Sequence, residues 1–488
     1  MSAHLAGMAQ RSGLDRRTLR VSALSSFGLT ASAPLTAVVG GIGGALAATQ
    51  VAGIGLLFVV VTAALLLFTV GHTALVRHVP HAAPLYAQVA RGLGPVRGVA
   101  AGFGVLVGYN AIQVCLYGLV GGALAGMPFP VPWWGWALGV WVLVGAAGQL
   151  RVRDAGAVLK WLLAVEVLVV VLFCGAALAA PKTGQLDLSA LSPAHLRGAG
   201  VGFAVALVCA SFTGFETGAV YAEEARSPEA ATRATFVSLV AIGAMLTVAS
   251  VAMVNATGAE DLDRAGASVV FGVLGGAFGP VVEGVANVLL VTSIVAAALS
   301  FHQTAGRYAF AMSRDQVLPG WLGSVRGTSG VPVGGLLAQS GVGLVVICGC
   351  AVFGVDGSTL FSFGAALAAV ALTAVMAADS AAVVGFFRRE AARARQESAW
   401  ARVVAPAAGF VAMAAIVVFM ASNLSSMLAE AGGVLAGWAV FVVASAAGVA
   451  GVVWGLRLRR VRPAVLAGVG RPADEVAETV NRFTDIVI

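Results

Sequence analysis

Charge is scarce in this sequence. Only 10% of its 488 residues are Asp, Glu, Lys or Arg, against 59% hydrophobic. A soluble domain carries about 25% charged residues, so water is not this chain's main solvent. Other absences narrow the class. No HExxH, nucleophile elbow, P-loop or histidine-rich cluster occurs, which argues against a membrane-embedded enzyme. No repeated filter sequence or ring-forming charge pattern points to a channel. The five cysteines (Cys115, Cys174, Cys209, Cys348, Cys350) all sit in apolar runs. They offer no disulfide framework, and without accompanying histidines no metal site; they are expected to be small, buried and inert. No cofactor is expected. The first 20 residues hold four arginines and lack the apolar stretch of a secretory signal.

What the sequence does have is apolar runs of about 20 residues, the helical length that crosses a bilayer core. They predict an all-α integral membrane protein with twelve transmembrane helices, at roughly 22–48, 52–75, 98–125, 133–150, 156–180, 198–222, 234–257, 281–311, 333–353, 359–387, 403–422 and 433–456. Basic residues orient them. With the N-terminus inside, 26 of the 29 lysines and arginines fall in inner segments, leaving Lys182, Arg197 and Arg264 outside. This bias predicts both termini in the cytoplasm. It also explains the net charge of +7 by topology and lipid headgroups, without a nucleic-acid partner.

Two spans are interrupted. The first contains Ala31-Ser32-Ala33-Pro34, where proline removes a backbone donor and clashes with the preceding turn. The sixth contains Ser211-Phe212-Thr213-Gly214-Phe215-Glu216, and Gly214 follows Ser32 by 182 residues. Five helices are an odd number, so a second set of five enters the membrane from the opposite face. A 5+5 inverted repeat with helices 1 and 6 broken at matching places follows, and such breaks point to a transporter's central binding site. The expected organisation is an N-terminal tail (1–21), a first repeat (22–180), a second repeat (198–387), accessory helices 11 and 12 (403–456) and a C-terminal tail (457–488). Bare helix ends suit a zwitterion, with its carboxylate at free N–H groups and its ammonium at free C=O groups. The plainer alternative is that Ala-Ser-Ala-Pro is a proline kink.

Several polar residues stand out in apolar surroundings. Glu216 is the only charged residue from Gly198 to Ala222. It ties the broken halves together, meets a substrate cation, or senses pH. Glu166, inside Trp161-Leu-Leu-Ala-Val-Glu-Val-Leu, is a proton-coupling group, a packed polar residue bonded to a neighbouring helix, or one close enough to the inner surface to be hydrated. Tyr109, Asn110 and Gln113 share a turn of span 3 and either face a cavity or bond between helices. Ser293 is a candidate ion or cavity contact, and His302 reads as interfacial.

Ser211-Phe-Thr-Gly-Phe-Glu-Thr217, followed by Ala222-Glu-Glu-Ala-Arg-Ser-Pro228, resembles the sixth-helix break and inner loop of the amino acid–polyamine–organocation superfamily, close to the bacterial amino acid permeases. His81-Ala-Ala-Pro-Leu-Tyr-Ala-Gln-Val-Ala-Arg-Gly-Leu-Gly-Pro95 resembles that family's loop between spans 2 and 3. Ala305-Gly-Arg-Tyr-Ala-Phe-Ala-Met-Ser-Arg-Asp-Gln-Val-Leu-Pro319 resembles the end of its span 8. The resemblance implies alternating access by rocking and gating. It places a substrate's carboxylate against Ala31 to Pro34, with carbonyls and an aromatic lid from Ser211 to Phe215. It also implies that a lysine in some proton-coupled relatives stands where Glu166 does. Two departures are the Ala-Ser-Ala-Pro break, usually glycine-rich, and Ala210, where some relatives carry an aromatic gate. The expected function is secondary active transport of an amino acid or related amine across the cell membrane, with a proton as co-substrate. Exchange, or polyamine import, is the alternative.

Overall fold

The computed structural model describes residues 19–150, 152–198, 200–258, 260–326, 330–423 and 433–471. Residues 1–18 and 472–488 of the expected tails thus lie outside the described residues. Among the described residues, ten helices are long and apolar enough to cross a membrane: Val21–Thr49, Ile54–His78, Pro95–Ala125, Lys160–Ala179, Pro228–Thr257, Pro280–Arg314, Val333–Phe353, Gly357–Arg389, Trp400–Ser422 and Leu435–Val461. Trp133–Ala147 occupies the fourth position, and Val201–Phe212 with Thr217–Val220 forms an interrupted sixth. Twelve helices result, called spans 1 to 12 in chain order.

Starts and stops follow local chemistry. Proline opens spans 3, 7 and 8, where its missing N–H costs nothing. The Ser227 hydroxyl and the Asp356 carboxylate cap spans 7 and 10 by accepting from Ala230 and Thr359 amides.

Spans 1, 3 and 10 are mostly buried, whereas spans 9, 11 and 12 expose most of their surface and form the lipid-facing rim. Cys348 is exposed on span 9 and Cys350 only half-buried. This corrects the expectation that every cysteine is interior. Spans 3 and 10 make the most extensive helix–helix contact. A Cβ on Gly364 would lie 2.7 Å from the Ala111 carbonyl oxygen, and one on Gly118 would lie 2.6 Å from that of Gly357. Apolar helices gain little hydrophobic drive toward each other in lipid, so backbone contact of this kind supplies their packing.

Two further helices lie in expected loops. Pro84–Leu93 is a short, largely buried helix on the face that carries the basic residues, bounded by Pro84 and Gly94. Ala267–Phe278 lies on the opposite face between Gly266 and Gly279.

The basic face is closed by ion pairs. Arg314, ending span 8, grips Glu223 through two hydrogen bonds of 2.8 and 3.0 Å. Arg307 pairs with Glu224 and lies over the Tyr221 ring at 4.3 Å. Asp315 accepts from the Tyr86 hydroxyl and the Gly470 amide, each at 2.9 Å, so the short helix and the C-terminal segment meet at one carboxylate. Leu19 joins this layer by donating to the Glu224 carbonyl and accepting from the Arg226 amide.

Burial alone would raise the Glu223 carboxyl, but the charge and hydrogen bonds of Arg314 outweigh it and hold the group at about 2. A depressed carboxyl stabilises the fold fully above its ordinary value of 4.5, and the contribution fades as pH falls toward 2. Glu223→Gln is therefore expected to lower the melting temperature at neutral pH and to flatten its fall in acid. Parallel acid profiles for variant and parent would contradict this assignment.

Candidate functional site

Both breaks are real interruptions of backbone geometry. Span 1 stops at Ala31, and Ala33 adopts φ 42° and ψ 78°, a left-handed conformation rare for a residue with a Cβ. Pro34 then opens the second half, and its ring disfavours a helical conformation at Ala33. Residues 37–43 continue in wider π-type turns. Such turns are frequent at functional sites. Span 6 stops at Phe212, and Gly214 takes φ 108°, where glycine alone is comfortable.

The breaks touch. A Cβ on Gly214 would come 2.5 Å from that of Ala31, and one on Gly41 would come 2.2 Å from the Ser211 hydroxyl. Between them lies a cavity of about 50 Å³. Ala31, Ser32, Ala33 and Thr36 line it from span 1, and Ala210, Ser211 and Thr213 from span 6. Ile112, Cys115 and Leu116 of span 3, Ala297 and Phe301 of span 8, and Phe361 and Ala365 of span 10 complete the apolar wall. Among the described residues no charged side chain lines it. Among the described residues no backbone N–H donates to the carbonyl oxygens of Ser32 or Thr213, so both breaks keep an open acceptor beside the cavity.

The remaining candidates fall into three places. Glu216 sits behind the break in span 6. It accepts from the Tyr109 hydroxyl at 2.8 Å and the Gly214 amide at 3.1 Å, and is almost fully buried. It ties span 3 to the interrupted backbone. Glu166 lies on the far side of span 1. It accepts from the Ser293 hydroxyl at 2.8 Å, which in turn accepts from Thr36 at 3.0 Å. The Leu35 amide, at the start of the second half-helix, faces the same carboxylate. Spans 1, 5 and 8 thus meet at one buried acid, and Ser293 is the bridge. Phe212 and Phe215 point elsewhere, lining a separate small cavity with spans 2, 10 and 11. Phe215 meets Phe68 edge-on at 6.3 Å. The rings at the central cavity are Phe301 and Phe361.

Tyr109, Asn110 and Gln113 have different partners: Tyr109 holds Glu216, and Asn110 turns away from the face that Tyr109 and Gln113 share. Asn110 donates to the Leu106 carbonyl of its own helix. Gln113 joins a buried cluster with Tyr117, His302 and Gln339. His302 is 1% exposed and about 18 Å along its helix from Arg314 at 1.5 Å per residue. It is a core residue, which corrects its reading as interfacial. Sequence reasoning also missed Thr36, Phe301 and Phe361. For Thr36 a signal existed, two residues beyond Pro34.

Glu216→Ala would strand the buried Tyr109 hydroxyl and Gly214 amide, each unpaired group costing about 1–3 kcal/mol. Tyr109→Phe removes the hydroxyl together with its bond and costs about 1 kcal/mol. Thermal unfolding in detergent should rank Glu216→Ala well below Tyr109→Phe. A Glu216→Ala protein as stable as its parent would mean that the acid does not hold the break.

Comparison with known proteins places this architecture. The sequence pattern of the family described as amino acid permease matches residues 21–445. No curated protein matches the sequence. Among solved structures, a manganese transporter of Eremococcus coleocola in complex with an aromatic bis-isothiourea substituted compound is similar at TM-score 0.54 and 13% identity, over 90% of this chain and 96% of that one. A mutant of the same transporter gives TM-score 0.52 at 14% identity, over 90% and 97% of the two chains. At these identities the likeness concerns the fold. The chain belongs to the amino acid permease family of the amino acid–polyamine–organocation superfamily, and is a multi-pass membrane transporter rather than an enzyme.

Proposed function

We propose that the chain imports a small, uncharged amino acid or related amine across the cytoplasmic membrane together with a proton. Its basic face would be cytoplasmic, with both termini on that side. The observation that carries this reading is the pair of facing breaks around a cavity without charged lining. An ammonium group finds acceptors at the Ser32 and Thr213 carbonyls, and a carboxylate finds the positive end of the half-helix that starts at Pro34. The side chain would rest against Ile112, Leu116, Phe301 and Phe361, which favours small apolar groups. A polyamine would lack a carboxylate partner for its second ammonium there.

Manganese, named for the structural neighbours, is not carried over. The cavity offers one thiol, Cys115, and no carboxylate or imidazole. Among the described residues no three His, Cys, Asp or Glu side chains gather.

Glu166 is the proposed coupling group. Ionised, it holds Ser293 and, through it, Thr36, locking span 1 to spans 5 and 8. A proton on the carboxyl weakens that clasp and frees span 1 to move against its neighbours. Proteoliposomes test this directly. Uptake driven by an imposed pH gradient supports symport, whereas dependence on internal substrate supports exchange. Glu166→Gln is expected to abolish gradient-driven uptake while sparing exchange, and undiminished accumulation in that variant would rule the residue out. A thermal-shift screen of amino acids, simple amines and polyamines identifies the ligand, since binding to the folded state alone raises the melting temperature. Stabilisation by polyamines only would overturn the proposed substrate class.

A further inference from the structure

A second buried pair of ionisable side chains lies outside the central site. His72 of span 2 and Asp379 of span 10 approach to 2.9 Å, Nδ1 to Oδ2, with both side chains fully sealed from the surface. They lie between the break in span 6 and the basic face. Phe68 stacks on the His72 ring at 5.0 Å and meets Phe215 edge-on, while Gln88 of the short helix donates to the His72 carbonyl.

The polar atoms here are poorly satisfied. His72 Nε2, Asp379 Oδ1, Gln88 Oε1 and Ser380 Oγ are all buried without a hydrogen-bond partner. Buried polar atoms are nearly always paired, and an exception calls for a functional or solvent explanation. Two ionisable groups face the pair. Glu216 is close enough for its charge to be felt at His72. Tyr308 of span 8 lies near both Glu216 and Asp379, and packs against Tyr109 at 5.5 Å. Span 11 packs against the same part of span 2 through Pro406 and Gly409, and its stretch Ala405–Ser422 contains no ionisable residue.

We infer that His72 and Asp379 form a proton-holding site on the basic side of the broken sixth helix, loaded and emptied during transport. This rests on the proton-coupled reading above. In the loaded form both ring nitrogens carry protons and Asp379 is a carboxylate, so the pair is neutral. The proton held at this site leaves from Nε2, the ring atom without a partner, to water. Nδ1–H stays bonded to Asp379, and the emptied pair carries one net negative charge. An uncompensated charge in a sealed interior costs several kcal/mol. The site therefore keeps its proton while closed and gives it up when the basic face opens and water enters. The direction of release then follows from access, without any change of partner. Glu166 lies between spans 1, 5 and 8, and this pair lies between spans 2 and 10, so the two are separable by mutation.

The test uses the full chain in proteoliposomes, with a radiolabelled mixture of the protein amino acids as probe, and nitrogen-15 histidine resonance spectra of the same protein. His72→Gln keeps an N–H donor for Asp379 but cannot carry the extra proton, and Asp379→Asn removes the counter-charge. Both variants are expected to lose pH-gradient-driven accumulation and to keep exchange. The resonance missing from His72→Gln should pass from imidazolium to neutral ring as pH rises, and move in Asp379→Asn. A parent driven by the gradient with variants equally driven overturns this inference alone. A parent that ignores the gradient overturns the proton-coupled reading and this inference with it. Loss of exchange together with accumulation, or a His72 resonance that never titrates, reduces the pair to a structural tie.

Discussion

A peptide group cannot be left bare in hydrocarbon, and the rest of this structure is arranged around two places where the helices stop pairing their own. Each unpaired group in lipid costs several kcal/mol, so an interruption survives only where protein or a cavity supplies partners. At span 6 the supply is Glu216, which binds the Gly214 amide and is itself held by Tyr109. At span 1 it is Glu166, which faces the Leu35 amide and is itself bonded by Ser293. Both carboxylates stand behind the breaks. The side facing the cavity is left to small side chains and open carbonyls, which is the surface a zwitterion needs.

This division separates holding from binding. The acids that stabilise the interruptions do not occupy the cavity, and the aromatic walls come from spans 8 and 10. Spans 3 and 10, in backbone contact through Gly118 and Gly364, form a rigid backing. Spans 1 and 6 are each cut in two beside it. Their ends on the basic face converge there, where Phe27 stacks on Tyr221 at 4.8 Å and Glu223 and Glu224 are gripped by arginines of span 8. These ion pairs join the loop after span 6 to the end of span 8 on the basic face.

Much of this could be read from residues alone, and the reasons are physical. Bilayer thickness sets the length of an apolar run, so the spans were visible. Pro34 and Gly214 announced the breaks, because one lacks a donor and the other adopts a backbone others avoid. Glu166 and Glu216 stood out as acids with no charged neighbour. Asp379 escaped notice although it lies in an equally apolar run, and its partner His72 is 307 residues away. Long-range pairing leaves no local mark. Phe301 and Phe361 were invisible for another reason: an aromatic residue in an apolar run looks the same whether it faces lipid or a ligand. The helix at Pro84–Leu93 was signalled by its proline start and glycine stop. Asn110 misled beside Tyr109 and Gln113, since adjacent residues on a helix point about 100° apart, whereas Tyr109 and Gln113 share a face and are both buried.

The central claim is that one small zwitterion is held between the two interruptions, by backbone rather than by charged side chains. A density map of the protein with its amino acid bound tests it most directly. The account predicts ligand density bounded by Ser32, Thr36, Ser211 and Thr213, with its amino group at the Ser32 and Thr213 carbonyls. Density lodged elsewhere, or spans 1 and 6 running as unbroken rods, would contradict it.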